Sequence, residues 1–157
     1  MAEESLITEE MRRDIGMEWE PYVQEIDKRF IAKFAEAVGD PSPLWQDEAR
    51  ARKTPCGGII APPTFYAALD PVYRYGTPQP RWKVPAEAKG GANAGDEVEL
   101  FEPIHPGDTI TAKAKTVDIY ERQGRSGRLL FTVREVVYTN QFGEVVAKSR
   151  GSLVSIY

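Results

Sequence analysis

The sequence predicts an α+β domain in which helices come first and an antiparallel sheet follows. Three observations support this class. Apolar residues recur at helical spacing after Asp27, a second apolar helix starts near Pro63, and four strand-like runs separated by turns occupy residues 97–156. A run of helices followed by a run of strands is typical of α+β domains. A helix that is apolar on nearly every side is usually buried, so we expect the sheet to wrap around the second helix.

The chain begins with weaker signals. Residues 6–15 predict a short helix that ends at Gly16, and residues 17–26 predict a first strand or extended segment. Pro21 places that segment at a sheet edge or a bulge, because proline cannot donate a hydrogen bond to a neighbouring strand. The length of 157 residues fits one domain covering residues 1–157.

The first long helix has clear ends. Asp27 can cap its first turn, and Gly39 stands where a glycine in the left-handed region ends a helix. The apolar residues between them share one face: Phe30, Ile31, Phe34, Ala35 and Val38. Asp40, Pro41 and Pro43 prevent the helix from continuing.

An irregular excursion separates the two helices. Residues 47–53 can form one helical turn, whereas Pro55 to Gly58 cannot form regular structure. The paired Gly57 and Gly58 allow either the close approach of a ligand to the backbone or simply a tight turn. Pro62 and Pro63 suit the start of the second helix, where no N–H partner is needed, and Pro71 stops or kinks it.

A long connection rich in proline and glycine follows, from Asp70 to Gly95, and contains Tyr73, Tyr75 and Trp82. A connection of this length is either functional, contacting a ligand or partner, or a surface loop; the sequence supports both interpretations equally. The strands then follow as residues 97–100, a strand from about Ile110, residues 129–139 and residues 144–156. The apolar phase switches after Ala114, which predicts a β-bulge near Thr116.

Composition excludes several classes of function. The net charge is −4 without a basic stripe, which argues against nucleic-acid binding. Cys56 is the single cysteine, so no internal disulfide forms. No His/Cys/Asp cluster has metal spacing, no glycine-rich phosphate loop is present, and no apolar run could cross a membrane. We therefore expect no metal, no cofactor and no membrane contact, and the acidic N-terminus predicts a cytoplasmic protein.

Three motifs carry a family resemblance. Residues 38–51 read VGDPSPLWQDEARA, residues 57–65 read GGIIAPPTF, and residues 99–113 read ELFEPIHPGDTITAK. In this order and spacing they resemble the MaoC-like acyl dehydratases and (R)-specific enoyl-CoA hydratases. The resemblance is closest to the non-catalytic N-terminal-dehydratase-type subunits and extends from about Gly16 to the end. It implies the hotdog fold, an antiparallel sheet wrapped around a central buried helix.

The chain departs from the family where the chemistry lies. Catalytic members carry G-D-x-N-P-x-H, but here Asp40 is kept, Ser42 replaces the asparagine and Trp45 replaces the catalytic histidine. An indole N–H donates hydrogen bonds but does not titrate. The glycine that offers its N–H to the thioester oxygen in the family is matched by Pro63, which has none. The resemblance therefore implies no catalytic residue in this chain.

The function implied is that of a partner subunit. We expect the chain to form the acyl pocket of a heteromeric enoyl-CoA hydratase or 3-hydroxyacyl-thioester dehydratase, in which a second, catalytic hotdog subunit supplies the Asp/His pair. The ligand would be an acyl thioester of CoA or an acyl carrier. The expected substrate-binding residues are Trp45, Gly57, Gly58, Ile60, Phe65 and Tyr66.

Two other interpretations remain open. A homo-oligomeric hotdog enzyme such as a thioesterase needs a carboxylate on the buried helix, but residues 62–69 carry none and Asp70 lies at the far end. A pure acyl-thioester binding module is the other. His105, the single histidine, could replace the missing base only from a strand-to-turn position, where a surface turn residue is the simpler interpretation.

Overall fold

A computed structural model describes residues 5–73, 88–125 and 127–157. Three α-helices, three 3₁₀ helices and five strands are found in this part of the chain. In chain order they are α1 (Glu9–Asp14), β1 (Tyr22–Glu25), α2 (Lys28–Ala37), a 3₁₀ helix (Pro43–Trp45), α3 (Glu48–Ala51), two 3₁₀ helices (Pro63–Leu69 and Pro71–Tyr73), β2 (Gly90–Leu100), β3 (Thr109–Gly124), β4 (Gly127–Thr139) and β5 (Val145–Ile156). Within these ranges no helix has the length and apolar character needed to cross a membrane.

All five strands form one antiparallel sheet in the order β1-β3-β4-β5-β2. The α+β prediction and the bulge are confirmed, since the register of β3 against β4 shifts between Thr116 and Asp118. The prediction that the connection runs to Gly95 is wrong, because β2 begins at Gly90. Residues 74–87 of that connection, including Tyr75 and Trp82, lie outside the described residues.

The concave face of the sheet carries side chains in rows that cross the strands. One row joins Ala112, Tyr138, Ala147 and Leu100, and a second joins Thr116, Arg134, Gly151 and Asp96. The first row lies in the apolar core except for the exposed Leu100, whereas the second row is polar. The concave face is therefore apolar toward the end that carries Leu100 and polar two rows further along.

Helix α2 and the 3₁₀ helix Pro63–Leu69 pack together over this face. Asp27 caps α2 by accepting the N–H of Phe30 at 2.6 Å, as predicted. The ring of Phe65 is fully buried and meets Phe30 and Phe34 edge-on, with centroid distances of 4.9 and 5.2 Å. Edge-to-face aromatic pairs of this kind add about 0.5–1.5 kcal/mol beyond burial. They fix the second helix against the first.

The second helix differs from its prediction in type and in burial. It is 3₁₀ rather than α, and the Phe65 N–H donates to the carbonyl of Pro62, three residues earlier, at 2.9 Å. Phe65 and Leu69 face the core, while the other side of the helix, including Thr64, is exposed in the single chain. The sheet therefore covers one side of this helix.

Residues 5–7 are hydrogen-bonded to strand β3 through one carboxylate. Glu121 accepts hydrogen bonds from the Ser5 hydroxyl at 2.6 Å, from the Leu6 N–H at 2.9 Å and from Arg128 at 2.7 Å. Partial burial raises the pKa of Glu121, but the bonds from Arg128, Ser5 and the backbone outweigh it and lower that pKa overall. Helix α1 then places the fully buried Met11 against the sheet.

This arrangement predicts that residues 5–7 detach from the sheet at low pH. Because its pKa is lowered in the folded state, Glu121 stabilises the fold above its unfolded pKa and loses that contribution as pH falls through its folded pKa. We expect Glu121→Gln to release residues 5–7 at neutral pH and to flatten the acid limb of stability. Hydrogen exchange at Leu6 and Ile7 measures the release. Exchange in the variant that remains as slow as in the wild type would contradict the assignment.

Candidate functional site

The motif that replaces G-D-x-N-P-x-H forms a tight turn after α2. Gly39 has a φ of +71°, which ends the helix in the left-handed region as predicted. The Asp40 carboxylate accepts the N–H of Ser42 at 3.0 Å, and the Ser42 hydroxyl accepts the N–H of Leu44 at 3.4 Å. Both polar side chains of the motif therefore accept hydrogen bonds from the backbone of the turn.

Trp45, which the family resemblance aligns with the catalytic histidine, lies in the core. Its exposure is 7%, and it belongs to the main apolar cluster with Ile31, Ala35 and Phe65. The indole Nε1 has no hydrogen-bond acceptor among the described residues. Trp45 can contribute volume and an N–H donor, but no group that exchanges a proton at neutral pH.

His105 lies in the turn before β3 and acts there through its backbone. Its N–H donates to the Asp108 carboxylate at 2.7 Å, and its carbonyl accepts the Asp108 N–H at 3.1 Å. None of the hydrogen bonds or ion pairs within the described part of the chain joins His105 to Asp40. The structure therefore leaves Asp40 without a histidine hydrogen-bonded to it.

An apolar cavity of about 220 Å³ opens between the start of the 3₁₀ helix Pro63–Leu69 and the end of β2. Its lining comes from three stretches of chain: Ile60, Ala61, Pro62, Pro63 and Tyr66; Leu100, Phe101, Glu102, Pro103 and Ile104; and Val146 and Ala147. Predominantly apolar walls with few polar groups are typical of small-molecule pockets. This cavity can accept a hydrocarbon chain.

The structure brings two of the six expected substrate-binding residues to this cavity, Ile60 and Tyr66. Trp45 and Phe65 lie in the adjacent core. Gly57 and Gly58 lie in the excursion after α3, where Gly57 has a φ of +70° and Gly58 is close to the Glu48 carboxylate. None of these four is among the lining residues.

Sequence reasoning missed the wall formed by residues 100–104. Leu100 and Phe101 are about half exposed, and the Phe101 N–H donates to the Val146 carbonyl at 3.0 Å. Two apolar residues at the exit of a strand that otherwise carries glycines and acids were the available signal. Their place in a pocket depends on β2 pairing with β5, which no local pattern reveals.

Asp40 borders a different depression. It lies beside a shallow groove of about 590 Å³ along α2, whose charged lining consists of Arg29, Lys33, Glu36 and Asp40. This groove shares no lining residue with the apolar cavity. The acid of the motif and the apolar cavity thus belong to separate surfaces of this chain.

A buried ion pair fixes the far end of the second helix. The Arg134 guanidinium donates to the Asp70 carboxylate at 2.7 Å, with both side chains less than 10% exposed, and Asp70 also accepts the Val72 N–H at 2.9 Å. Tyr138 is fully buried nearby, its hydroxyl 3.5 Å from that of Ser149. Burial first, and then the charge of Asp70, raise the pKa of the Tyr138 phenol, so the ring stays neutral.

Comparisons with known proteins identify the family and the fold of this chain. The family model described as "FAS1-like, dehydratase domain region" matches residues 13–149. A UPF0336 protein of Saccharopolyspora erythraea is 30% identical over 142 residues, covering 90% of this chain and 88% of the relative.

Among solved structures, a MaoC-like dehydratase from Rhodospirillum rubrum has a TM-score of 0.68 at 24% identity, covering 90% of this chain and 92% of its own. A chain of the ChsH1–ChsH2 complex from Mycobacterium tuberculosis has a TM-score of 0.74 at 21% identity, covering 88% of each. These likenesses identify the hotdog fold. The chain therefore belongs to the FAS1-like dehydratase-domain family of MaoC-like hotdog proteins.

Proposed function

We propose that this chain is the non-catalytic, acyl-pocket-forming subunit of a heteromeric enoyl-CoA hydratase or 3-hydroxyacyl-thioester dehydratase. The observation that carries the proposal is Trp45, a buried core residue at the place where the family motif has its histidine. A partner hotdog subunit with an intact motif would supply the Asp/His pair.

The chemistry explains why a partner is needed. Hydration of an enoyl thioester requires a base to activate water, an acid to protonate the α-carbon and a donor for the enolate oxygen. In this chain Asp40 is bound within its own turn, Trp45 does not titrate, and Pro63 has no N–H to offer. Each of the three roles lacks a suitable group at its motif position.

The apolar cavity supports the second part of the proposal. Its walls are mostly apolar, with Glu102 as the charged lining residue. An acyl chain gains about 0.8 kcal/mol for each methylene that leaves water. This subunit would therefore contribute affinity for the acyl group while its partner contributes the reacting groups.

A sheet edge that no described strand covers supports the proposed partner. Strand β2 lies at the end of the strand order, and all eleven of its residues except Val98 are exposed. A strand of this length with one unpaired edge is a template for another strand. A partner strand added there would also lie beside Leu100 and Phe101 at the mouth of the cavity. The ChsH1–ChsH2 complex shows that a structural neighbour assembles with a second named chain.

The experiment is reconstitution with a hotdog protein that carries the intact G-D-x-N-P-x-H motif. We expect no enoyl-thioester hydration from this chain alone and activity on mixing. In the assembled enzyme, Asp40→Asn should leave turnover within a few-fold of wild type, because loss of a true general acid or base costs about 10²- to 10⁴-fold. Steady-state turnover on a saturating enoyl thioester is the measurement.

Asp47→Asn is a matched control. Asp47 also caps a turn, accepting the Arg50 N–H at 3.1 Å at the start of α3. Alanine in place of the partner's motif histidine should abolish activity in every mixture. A thousand-fold loss in Asp40→Asn, with assembly and folding intact, would place catalysis in this chain and overturn the subunit proposal.

The alternatives predict other outcomes of the same experiment. A binding module would take up acyl thioester but give no activity on mixing. A thioesterase would hydrolyse thioesters alone, and it would need a free carboxylate on the second helix. The acid there, Asp70, is buried in an ion pair with Arg134, which does not favour that mechanism.

A further inference from the structure

The apolar cavity has a mouth and an inner end. Leu100 and Phe101, about half exposed, mark the mouth beside the open edge of β2. Val146 and Ala147 are each 1% exposed and the partly buried Tyr66 packs on the core, so these three residues mark the inner end. A hydrocarbon chain entering at the mouth would run inward across the concave face toward Tyr66.

The inner end exists because one residue of a cross-strand row is small. Tyr138, Ala147 and Leu100 are neighbours in register on β4, β5 and β2. Ala147 is the small member of this row, and it lies between Leu100 and the fully buried Tyr138. The ring of Tyr66 lies above, with its centroid 6.1 Å from that of Tyr138 at an angle of 68°.

The surface beyond this wall is polar. Along the concave face from Tyr138 lie Ser149, whose hydroxyl is 3.5 Å from the Tyr138 hydroxyl, and then the Asp70–Arg134 ion pair. A hydrocarbon chain that reached these groups would desolvate them without offering a hydrogen bond, which is unfavourable. The side chains at the inner end and the polar groups beyond them thus limit a hydrocarbon chain at the same depth.

We propose that Tyr66 and Ala147 set the length of acyl chain that this subunit accepts. This inference rests on the proposed function and specifies its substrate class: a straight acyl chain that fills about 220 Å³ and ends against Tyr66. Neither residue takes part in the chemistry. They are specificity-determining residues that act through the depth of the cavity.

The test uses the full chain and saturated acyl-CoA thioesters from butanoyl to hexadecanoyl, with affinity measured by titration calorimetry. We expect the affinity for the thioester to rise about fourfold per methylene until the cavity is full. Beyond that chain length, which we call the break, the affinity should level off or fall. Tyr66→Ala should move this break to longer chains and strengthen binding of those chains by roughly tenfold or more. Ala147→Val should move the break to shorter chains, and Tyr66→Phe should leave it in place.

Tyr120→Ala is the matched control, since Tyr120 stacks on Phe131 at 4.9 Å and does not line the cavity. Thermal unfolding checks that each variant is folded. A break that stays in place in both Tyr66→Ala and Ala147→Val overturns the inference while the proposed function stands. Failure of the wild type to bind any thioester of the series, alone and after assembly with a catalytic partner, contradicts the proposed function itself.

Discussion

Asp70→Ala is expected to lower the free energy of unfolding by about 3–5 kcal/mol, a large fraction of the stability of a domain of this size. The change leaves the Arg134 guanidinium buried under the second helix without the carboxylate that it contacts at 2.7 Å. It also removes the acceptor of the Val72 N–H. Urea unfolding followed by circular dichroism measures the loss.

Two further variants test whether the stability lost in Asp70→Ala comes from leaving Arg134 unpaired or from removing the Asp70 side chain itself. Asp70→Leu combined with Arg134→Met should recover most of the stability, because an apolar pair can replace a buried ion pair at little cost. Asp96→Ala is the matched control. Asp96 approaches the same row across Gly151, but it is exposed on β2, so its loss should cost no more than about 1 kcal/mol. Equal losses in Asp70→Ala and Asp96→Ala would refute the special role of the buried pair.

Trp45→Ala should destabilise the chain by about 3–5 kcal/mol, the range for removing a large aromatic side chain from a core. The ring is 7% exposed and packs with α2 and the second helix. Trp45→His is the more informative substitution. It restores the missing histidine of the motif, yet we expect no hydratase activity from the isolated variant, since Ser42 still replaces the asparagine and Pro63 still lacks an N–H.

Chemical denaturation and an enoyl-thioester assay measure these two results. Trp19→Ala serves as the control for stability, because Trp19 is half-buried against the same cluster and should cost less than Trp45→Ala. Hydration by Trp45→His alone would show that the site lacks only its histidine. The chain would then be an inactivated enzyme rather than a pocket-forming subunit.

Local patterns predicted the parts of the fold that depend on local chemistry. The Asp27 cap and the left-handed Gly39 are set by backbone groups within a few residues. The bulge in β3 was visible because an extra residue, Val117, switches the phase of alternation. Each of these features leaves its mark within one stretch of sequence.

The features that were missed depend on distant residues. Strand β2 begins in Gly90 and Gly91, which have little strand propensity, and pairing with β5 overrides that preference. The Asp70–Arg134 pair joins positions 64 residues apart. The cavity needs walls from three separate stretches of chain. No periodicity in the sequence predicts such long-range contacts, because they form only when the sheet is assembled.

Strand β2 pairs with β5 on one side, and no other described strand pairs with its outer edge. A bulge between Asn93 and Gly95 interrupts the regular pairing of this strand, and Glu97 and Glu99 place charge along its second half. The bulge and these charges both reduce non-specific pairing of β2 with strands of other chains. No described strand covers this edge, so under the proposed function a newly made chain would present it to proteases and chaperones until the partner subunit binds. The abundance of this protein should then follow the supply of the proposed partner.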